Sequence, residues 1–519
     1  MNSTDGKNEK GLRARLSRIR TIQDRFPFPL VAGLLVLVIL IEIIFCILMI
    51  SLGILPGQYV ALVIVILLAI DVGIFFLVTN RKRSRGRFYT GLIVAVVMMI
   101  LLLPMAYFLN TTGEAIQKLV AQHDQFEEYE VITSSDSTYE DVSDIRGKTV
   151  YVLGVDDKMN VEAREKLVTK ADVELNDSEK DITALGNRIY NEQTKKASDD
   201  LILVSESQYE LLCDGIDGFK KNSKIIYTEK IMKRADTGSD AVNVTKDPFN
   251  IYITGIDAWG SIDKVSRSDV NMIVTVNPQT RTILLTSIPR DAYVPLHTYG
   301  EYDKLTHTGI YGVEETLSTV EDWLDIDLNY YVKVNFSMVV GLVNAIDGIT
   351  LYNEEEFQSS IAPYWYKKGW ITMHGKKTLY YARERKWFEG GDARRTTHQQ
   401  KVMEAIIKKV SSSEVILTHY TDILAVVSEN MTMNLTDREL KALARMQLSD
   451  MDTKWTIEMA NIKCEEAERG TFSMGMGRML FVNIPKEESV EKVKEKIHDV
   501  MYPAETEETD DVTDLLQGN

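Results

Sequence analysis

Only three cysteines occur in the 519 residues. Cys46 falls in a long apolar run, and Cys213 and Cys464 stand far from each other with no metal-type spacing. Neither a disulfide framework nor a cysteine metal site is expected, and two isolated buried thiols are the simpler reading. Internal repeats are absent, so no solenoid is expected. Positive charge is also scarce over most of the chain: residues 1–110 hold 12 Lys+Arg against 5 Asp+Glu, which leaves 47 against 71 for the remainder. A remainder with a net charge of −24 argues against nucleic acid as a partner. Any anion it binds must be caught by a local basic pocket rather than by the overall field.

Apolar sequence is plentiful near the N-terminus. Residues 30–51, 58–79 and 88–109 are three mostly apolar runs, each long enough to cross about 30 Å of hydrocarbon at about 1.5 Å per residue. The first 29 residues carry Lys7, Lys10, Arg13, Arg15, Arg18, Arg20 and Arg25, and the link between the second and third runs is RKRSRGR from Arg81 to Arg87. The link from Leu52 to Gly57 has no charge. Basic residues beside spans stay on the cytoplasmic side, so a cytoplasmic N-terminus (1–29), three transmembrane helices (30–110) and an extracellular remainder are expected at the cell membrane. A cleaved leader fits poorly, because the first run is too long and two more follow. Glu42 and Asp71 lie inside spans, where acids face a bundle interior or a partner's helices.

The whole chain, at 45% hydrophobic and 26% charged residues, has the composition of ordinary globular material. A polar helical lead is expected over 112–130, followed by a small alternating α/β module at about 131–235 and a polar linker, Arg234 to Lys246. The whole stretch 111–246 thus reads as an accessory domain. The main domain, 247–500, is expected to be α/β, a mixed central sheet flanked by helices. An acidic tail, 501–519, lacks the apolar content for a core and reads as disordered.

Chemistry concentrates at the start of the main domain. Phe249–Ile256, Asn271–Val276 and Thr282–Ile288 read as strands, and Asp257, Arg267, Asp269, Arg290 and Asp291 decorate their ends. Ligands of open α/β sheets sit where strands end. Two carboxylates at adjacent strand ends suit Mg2+, which takes one or two carboxylates plus waters and phosphate oxygens, although Asp also favours ordinary turns. Arg383 and Arg385 share a face if the backbone there is extended. Arg394 and Arg395 open a long helix, with Gln399 one turn beyond Arg395. Guanidinium forks match phosphate oxygens and keep their charge. Asp392 reads as that helix's N-cap. No general base is evident; Asp291 and Asp392 are the candidates. The apolar stripes Leu317/Val320/Leu324, Val339/Val340/Val343 and Val402/Ile406/Val410 read as core, or as the lining of a lipid-chain tunnel.

The ordered motifs SRSDVNMIVTVN, SIPRDAYV, DKLTHTGIYG, YARER and GD-x-x-R…QQK resemble the LytR-CpsA-Psr family of Gram-positive envelope proteins. Three spans plus an accessory module are similar to its capsule-polysaccharide members. The resemblance implies a Mg-dependent phosphotransferase that moves a glycopolymer from undecaprenyl pyrophosphate to peptidoglycan, with the prenyl chain in an apolar tunnel. By motif, Asp257 and Asp269 would be metal-side carboxylates. Arg267, Arg290, Arg383, Arg385 and Arg395 would hold the pyrophosphate, with Lys304 and Gln399 beside them. Membrane lipids and polysaccharide-synthesis membrane proteins are the other implied partners. Many members have Arg or Asn before the QQ pair; His398 stands there in this chain, implying a pocket one charge weaker at that edge. A polyprenyl-pyrophosphate hydrolase and a non-catalytic scaffold remain alternatives.

Overall fold

The computed structural model describes residues 28–79, 85–120, 125–154, 158–179, 181–233, 241–256, 259, 261–389, 391–411, 413–449 and 454–503. Lys7 to Arg25, Arg81 to Ser84, most of the 234–246 linker, Asp257 and the tail from Ala504 lie outside them. The chain divides into two compact units, residues up to 117 with 440–450, and residues 118–439 with 451–519.

The first unit contains α1 (Phe28–Leu52), α2 (Gly57–Thr79) and α3 (Arg85–Val120), all long and apolar enough to cross a membrane. Side chains such as Leu62, Phe76 and Tyr107 are exposed, as on helices that are apolar on every face. Glu42 is buried and shares a hydrogen bond with Asp71, the polar contact expected of intramembrane acids. With 36 residues, α3 outruns the bilayer core. The polar lead is helical only to Val120, and from Gln125 the chain is a strand, whose residues Tyr129, Val131 and Ile132 are almost fully buried.

In the second unit a five-stranded sheet comes first. It comprises β1 (Gln125–Ser134), β2 (Thr149–Leu153), β3 (Glu174–Glu179), β4 (Leu201–Ser205) and β5 (Ser223–Lys233), in the order β3-β2-β4-β1-β5. The apolar run of β4 is buried throughout, whereas the polar β3 occupies an edge. Helices α4 (Lys158–Ala171), α5 (Ile182–Ile189) and α6 (Glu206–Gly215) accompany it. Helix α5 stops at Ile189, after which the Asn191 side chain accepts from Thr194 N at 2.9 Å within a small hairpin.

The larger sheet contains β6 (Phe249–Gly255), β7 (Val270–Asn277), β8 (Thr282–Ile288), then, after β9 (Tyr293–Pro295), β10 (Tyr302–Lys304), α7 (Leu305–Thr308) and α8 (Val313–Leu324), β11 (Tyr330–Val334). Next come α9 (Phe336–Ala345), β12 (Ile349–Asn353), β13 (Gly369–Met373), α10 (Gly375–Arg383), α11 (Gly391–Val410), α12 (Ser413–Asn430), β14 (Met431–Met433), α13 (Asp437–Ser449), β15 (Thr456–Asn461), β16 (Cys464–Thr471), β17 (Gly475–Pro485) and α14 (Glu487–Met501). The sheet order is β14-β11-β6-β7-β8-β15. Its β6-β7-β8 centre is antiparallel, while β11 runs parallel to β6 and β15 parallel to β8. One core cluster joins Tyr252, Ile273 and Leu284 to α8 and α14, and another joins α9 and α11 to Phe357, Tyr366 and Tyr381. This is the mixed α/β sheet with flanking helices that the strand and helix patterns imply. Strand β16 escaped sequence reading: CEEAERGT has no period-2 apolar pattern, and its register comes from β17.

Candidate active site

The ends of β6 and β7 and the turn after β8 bring the first site residues together. A buried polar network fixes the bend that carries Arg267 and Asp269: Tyr252 Oη donates to Asn271 Oδ1 at 2.5 Å, Ser268 Oγ lies 2.6 Å from Thr254 Oγ1, and Asn271 Nδ2 donates to Ser268 O at 3.0 Å. Gly309 lets α7 press on this bend, since a Cβ there would stand 2.4 Å from Ser266 O. Asp269 N donates to Gly255 O at 2.8 Å. Its carboxylate then receives Arg290 Nη1 at 2.6 Å and Thr306 Oγ1 at 3.2 Å, both on Oδ1.

Arg290 is the hub. Its Nε lies 3.5 Å from Asp291 Oδ2, and Lys304 Nζ lies 3.1 Å from Asp291 Oδ1. Burial alone would lower the Arg290 pKa, but Asp269 and Asp291 outweigh it and raise it. For Asp291, burial is likewise outweighed, here by Lys304 and Arg290, which hold it below the usual carboxylate range.

The distal arginines arrive from α10 and α11. Arg383 closes α10, with its guanidinium 4.3 Å from the centre of the Phe336 ring, and Glu384 beyond it is extended. Buried Glu384 accepts from the backbone of Ser360, Arg385 and Trp387 at 2.6, 2.9 and 3.1 Å, which pins the R-E-R turn. Gly391 permits the following helix to approach, because a Cβ there would stand 1.9 Å from Arg385 O. Since α11 starts at Gly391, Asp392 lies in its first turn and is not its N-cap; its Oδ1 instead meets Arg395 Nη2 at 2.5 Å. Gln400, the second residue of the QQ pair, carries no role in the sequence reading. It is fully buried, and its amide donates to Leu285 O at 2.9 Å and Ala460 O at 2.6 Å, fastening α11 to β8 and β15 with Arg395 and Gln399 turned to the site.

A cavity of about 230 Å³ results, lined by Asp269, Arg290, Arg383, Arg385, Lys386, Arg395 and Gln399, with Ile256, Val270, Phe336 and Ile361 on its apolar side. Five cationic side chains face one carboxylate there. Arg267 and Lys304 do not line it. Arg267 turns instead to α6, with Nη1 2.6 Å from Asp214 Oδ2 and Nη2 3.6 Å from Glu210 Oε2. The capping box of Ser205 and Gln208 starts that helix, and Glu206, Glu210 and Asp214 then recur every four residues on one face. Two further cavities flank the pair. One of about 420 Å³ includes Glu206, Glu210, Asp214, Arg267, Asp269, Arg290 and Arg383, and one of about 350 Å³ includes Asp214, Arg267, Arg290, Asp291, Lys304, His307 and Arg385.

Other residues fall away from the site. Arg394 pairs with Glu355 at 3.2 Å. His398 is not a weakened edge of the pocket: it stacks on Tyr381 and Phe357 in the core, and burial pushes its pKa down to about 4. Cys213 and Cys464 are half-buried rather than buried. The stripe Val402, Ile406 and Val410 packs into the core cluster beside the cavity. Among the described residues no group of three or more His, Cys, Asp or Glu gathers as a metal site. Asp269, with Oδ1 engaged by Arg290 and Thr306, borders two of the cavities.

The chain is similar to several known proteins. Polyisoprenyl-teichoic acid–peptidoglycan teichoic acid transferase TagU of Bacillus licheniformis is 37% identical over 205 residues, 39% of this chain and 65% of that protein. The same-named protein of Bacillus subtilis is 34% identical over 254 residues, 47% of this chain and 81% of its own length. The chain thus spans just under two thirds of the first of these relatives. The crystal structure of B. subtilis TagV is 28% identical, covering 49% of this chain and 98% of that one, with a TM-score of 0.42. The model of the LytR_cpsA_psr family matches residues 217–497, more than half of the chain. From α6's C-terminal end to α14, including every arginine around Asp269, the chain belongs to the LytR-CpsA-Psr family.

Proposed function

We propose that this protein is a membrane-anchored phosphotransferase acting outside the cell, which moves a glycopolymer from undecaprenyl pyrophosphate to peptidoglycan. One observation carries the reading: Arg290, Arg383, Arg385 and Arg395 converge on a small cavity containing a single carboxylate, Asp269, a charge balance that suits a pyrophosphate dianion or trianion. The relatives' names specify teichoic acid; capsular or exopolysaccharide is our assignment for this chain, from its three spans and accessory module. An outward orientation is supported by the charge at the spans.

The four guanidiniums would grip the pyrophosphate oxygens and neutralise charge on the leaving phosphate, so that positioning and electrostatics supply most of the rate. A wall hydroxyl would attack the glycan-proximal phosphorus, and polyprenyl phosphate would leave. Asp269, with Asp257 as the second carboxylate of the motif, would hold Mg2+, which supplies Lewis-acid stabilisation when bound. Phe336, Ile361 and the neighbouring α9–α11 core offer an apolar side for the prenyl chain. The test is the full chain in lipid nanodiscs with polyprenyl-pyrophosphoryl glycan, Mg2+ and peptidoglycan fragments. A glycan–muropeptide phosphodiester is expected. Free glycan phosphate made equally without acceptor would establish a hydrolase instead.

A further inference from the structure

The reaction needs a proton acceptor, and the carboxylates nearest the arginines are poorly suited. Asp291 is clamped by Lys304 and Arg290 and held below the usual carboxylate range, and Asp392 is clamped by Arg395. A base works best with a pKa near the working pH.

Where β10 runs into α7 there is a better group. Asp303 is fully buried and His307 is 3% exposed. His307 Nδ1 lies 2.6 Å from Asp303 Oδ1 and 2.9 Å from Ser473 Oγ. Asp303 also accepts from its neighbour Lys304 N at 2.7 Å, from Ser473 N at 2.7 Å and from the Ser473 hydroxyl. Burial would raise its pKa, but His307 and these donors outweigh that and lower it, so it is an ionised acceptor on every side. An acceptor-only partner requires that Nδ1 carry the hydrogen, which leaves the Nε2 lone pair free to take a proton. The Asp303–Ser473 side of the ring is occupied. His307 also lines the 350 Å³ cavity together with Arg290, Lys304 and Thr306, one residue from the threonine bonded to Asp269.

We propose that His307 is the general base for the acceptor hydroxyl, with Asp303 as its positioning residue. This rests on the transferase reading above. The hydroxyl proton moves to Nε2 as its oxygen bonds to the glycan-proximal phosphorus. The bond from that phosphorus to the bridging oxygen breaks, and its electron pair leaves with polyprenyl phosphate. The proton on Nε2 then passes to solvent. Among the described residues, the charged and titratable groups that share this cavity with His307, or bond to it or to Ser473, are Asp303 and Lys304 from its own turn, Arg290 and Asp291 from the turn after β8, Arg267, Asp214 from α6, Arg385 and Tyr311.

The experiment uses the full chain in nanodiscs, with transfer followed against pH and the Kd for polyprenyl pyrophosphate measured without acceptor. His307→Gln is expected to lower kcat by about 10²- to 10⁴-fold, the usual worth of a general base, and to erase the acidic limb of the pH profile, while Kd stays within about twofold. Asp303→Asn, which removes the acceptor that fixes the tautomer, should lower kcat at least about tenfold with Kd again unchanged. A variant that keeps the limb, or keeps kcat within about threefold, overturns the proposal. So does parallel loss of kcat, Kd and melting temperature in both variants, which would make the dyad only a joint between the α7 turn and the Ser473 turn. Absence of any phosphodiester with the wild type would sink the transferase reading, and the base with it; transfer that survives His307→Gln sinks the base alone.

Discussion

Arg290→Ala should cripple activity far more than it unsettles the fold, and the two effects can be separated. Arg290 faces all three cavities, so on the proposed function it would meet the pyrophosphate wherever that group lay in the cleft. Loss of a preorganised donor to developing negative charge costs about 10²- to 10³-fold in kcat, or about 3–4 kcal/mol. On the structural side, breaking a buried ion pair costs roughly 3–5 kcal/mol because the stranded charge stays buried. Here the stranded acids keep other partners: Asp291 retains Lys304 at 3.1 Å and Asp269 retains Thr306 at 3.2 Å. The expected destabilisation is therefore about 2 kcal/mol, below that range. Arg290→Lys preserves charge but cannot reach both acids with a fork, and should fall between wild type and alanine in both measures. The assay pairs phosphodiester formation with denaturant melts of the same preparations. Adding Asp269→Asn to Arg290→Ala should recover part of the stability and none of the activity. If Arg290→Ala keeps kcat within about tenfold, or if Asp269→Asn restores activity along with stability, the hub assignment is wrong.

Arg267→Ala should weaken donor binding less than Arg290→Ala does, because Arg267 borders the neighbouring cavities and not the arginine-rich one; Kd values for polyprenyl pyrophosphate check the ranking. Asp214→Asn should alter stability by less than about 1 kcal/mol, since its side chain is largely exposed. His398 has a folded pKa of about 4 against 6.5, so its neutral form supports the fold above pH 6.5 and that support drains away as pH falls from 6.5 to 4. The loss is on the order of 3 kcal/mol, and melting curves of His398→Phe should be flatter across that window. Burial and the neighbouring Glu206 and Glu128 push Glu130 up to about 7. The folded state then holds a proton that the unfolded state releases, so stability declines as pH rises from about 4.5 to 7. Glu130→Gln should melt higher than wild type at pH 8 and equally at pH 4; a higher melt at both would point to packing instead.

Much of this molecule could be read from its residues, for identifiable reasons. Three long apolar runs and the Val/Ile/Thr-rich strands β6, β7 and β8 follow local rules of length and period. Arg383, Arg385, Arg395 and Gln399 could be named because charge at fixed spacing is visible along the chain. What escaped depends on partners distant in sequence. Arg267 could be named, but its pairing with Asp214 of α6, 53 residues earlier, could not. Gln400 stood in the QQ pair with no role assigned, and only the pairing of β8 with β15 brings together the two carbonyls it caps. His307 and Asp303 are four apart, a spacing that could have been noticed, but their meaning comes from Ser473, 166 residues downstream of His307.

The contact between Arg267 and α6 also bears on how such proteins diversify. The smaller sheet and the larger one share a cleft wall, with Glu206, Glu210 and Asp214 on one side and the arginines on the other. A module that merely spaced the larger domain from the membrane could be exchanged freely between relatives. On the proposed function this one would carry part of the electrostatic surface that an incoming polymer meets, so the two modules are expected to change as a matched pair, and chimaeras that graft a foreign α6 face onto this domain should alter which polymers are accepted before they alter whether the chain folds.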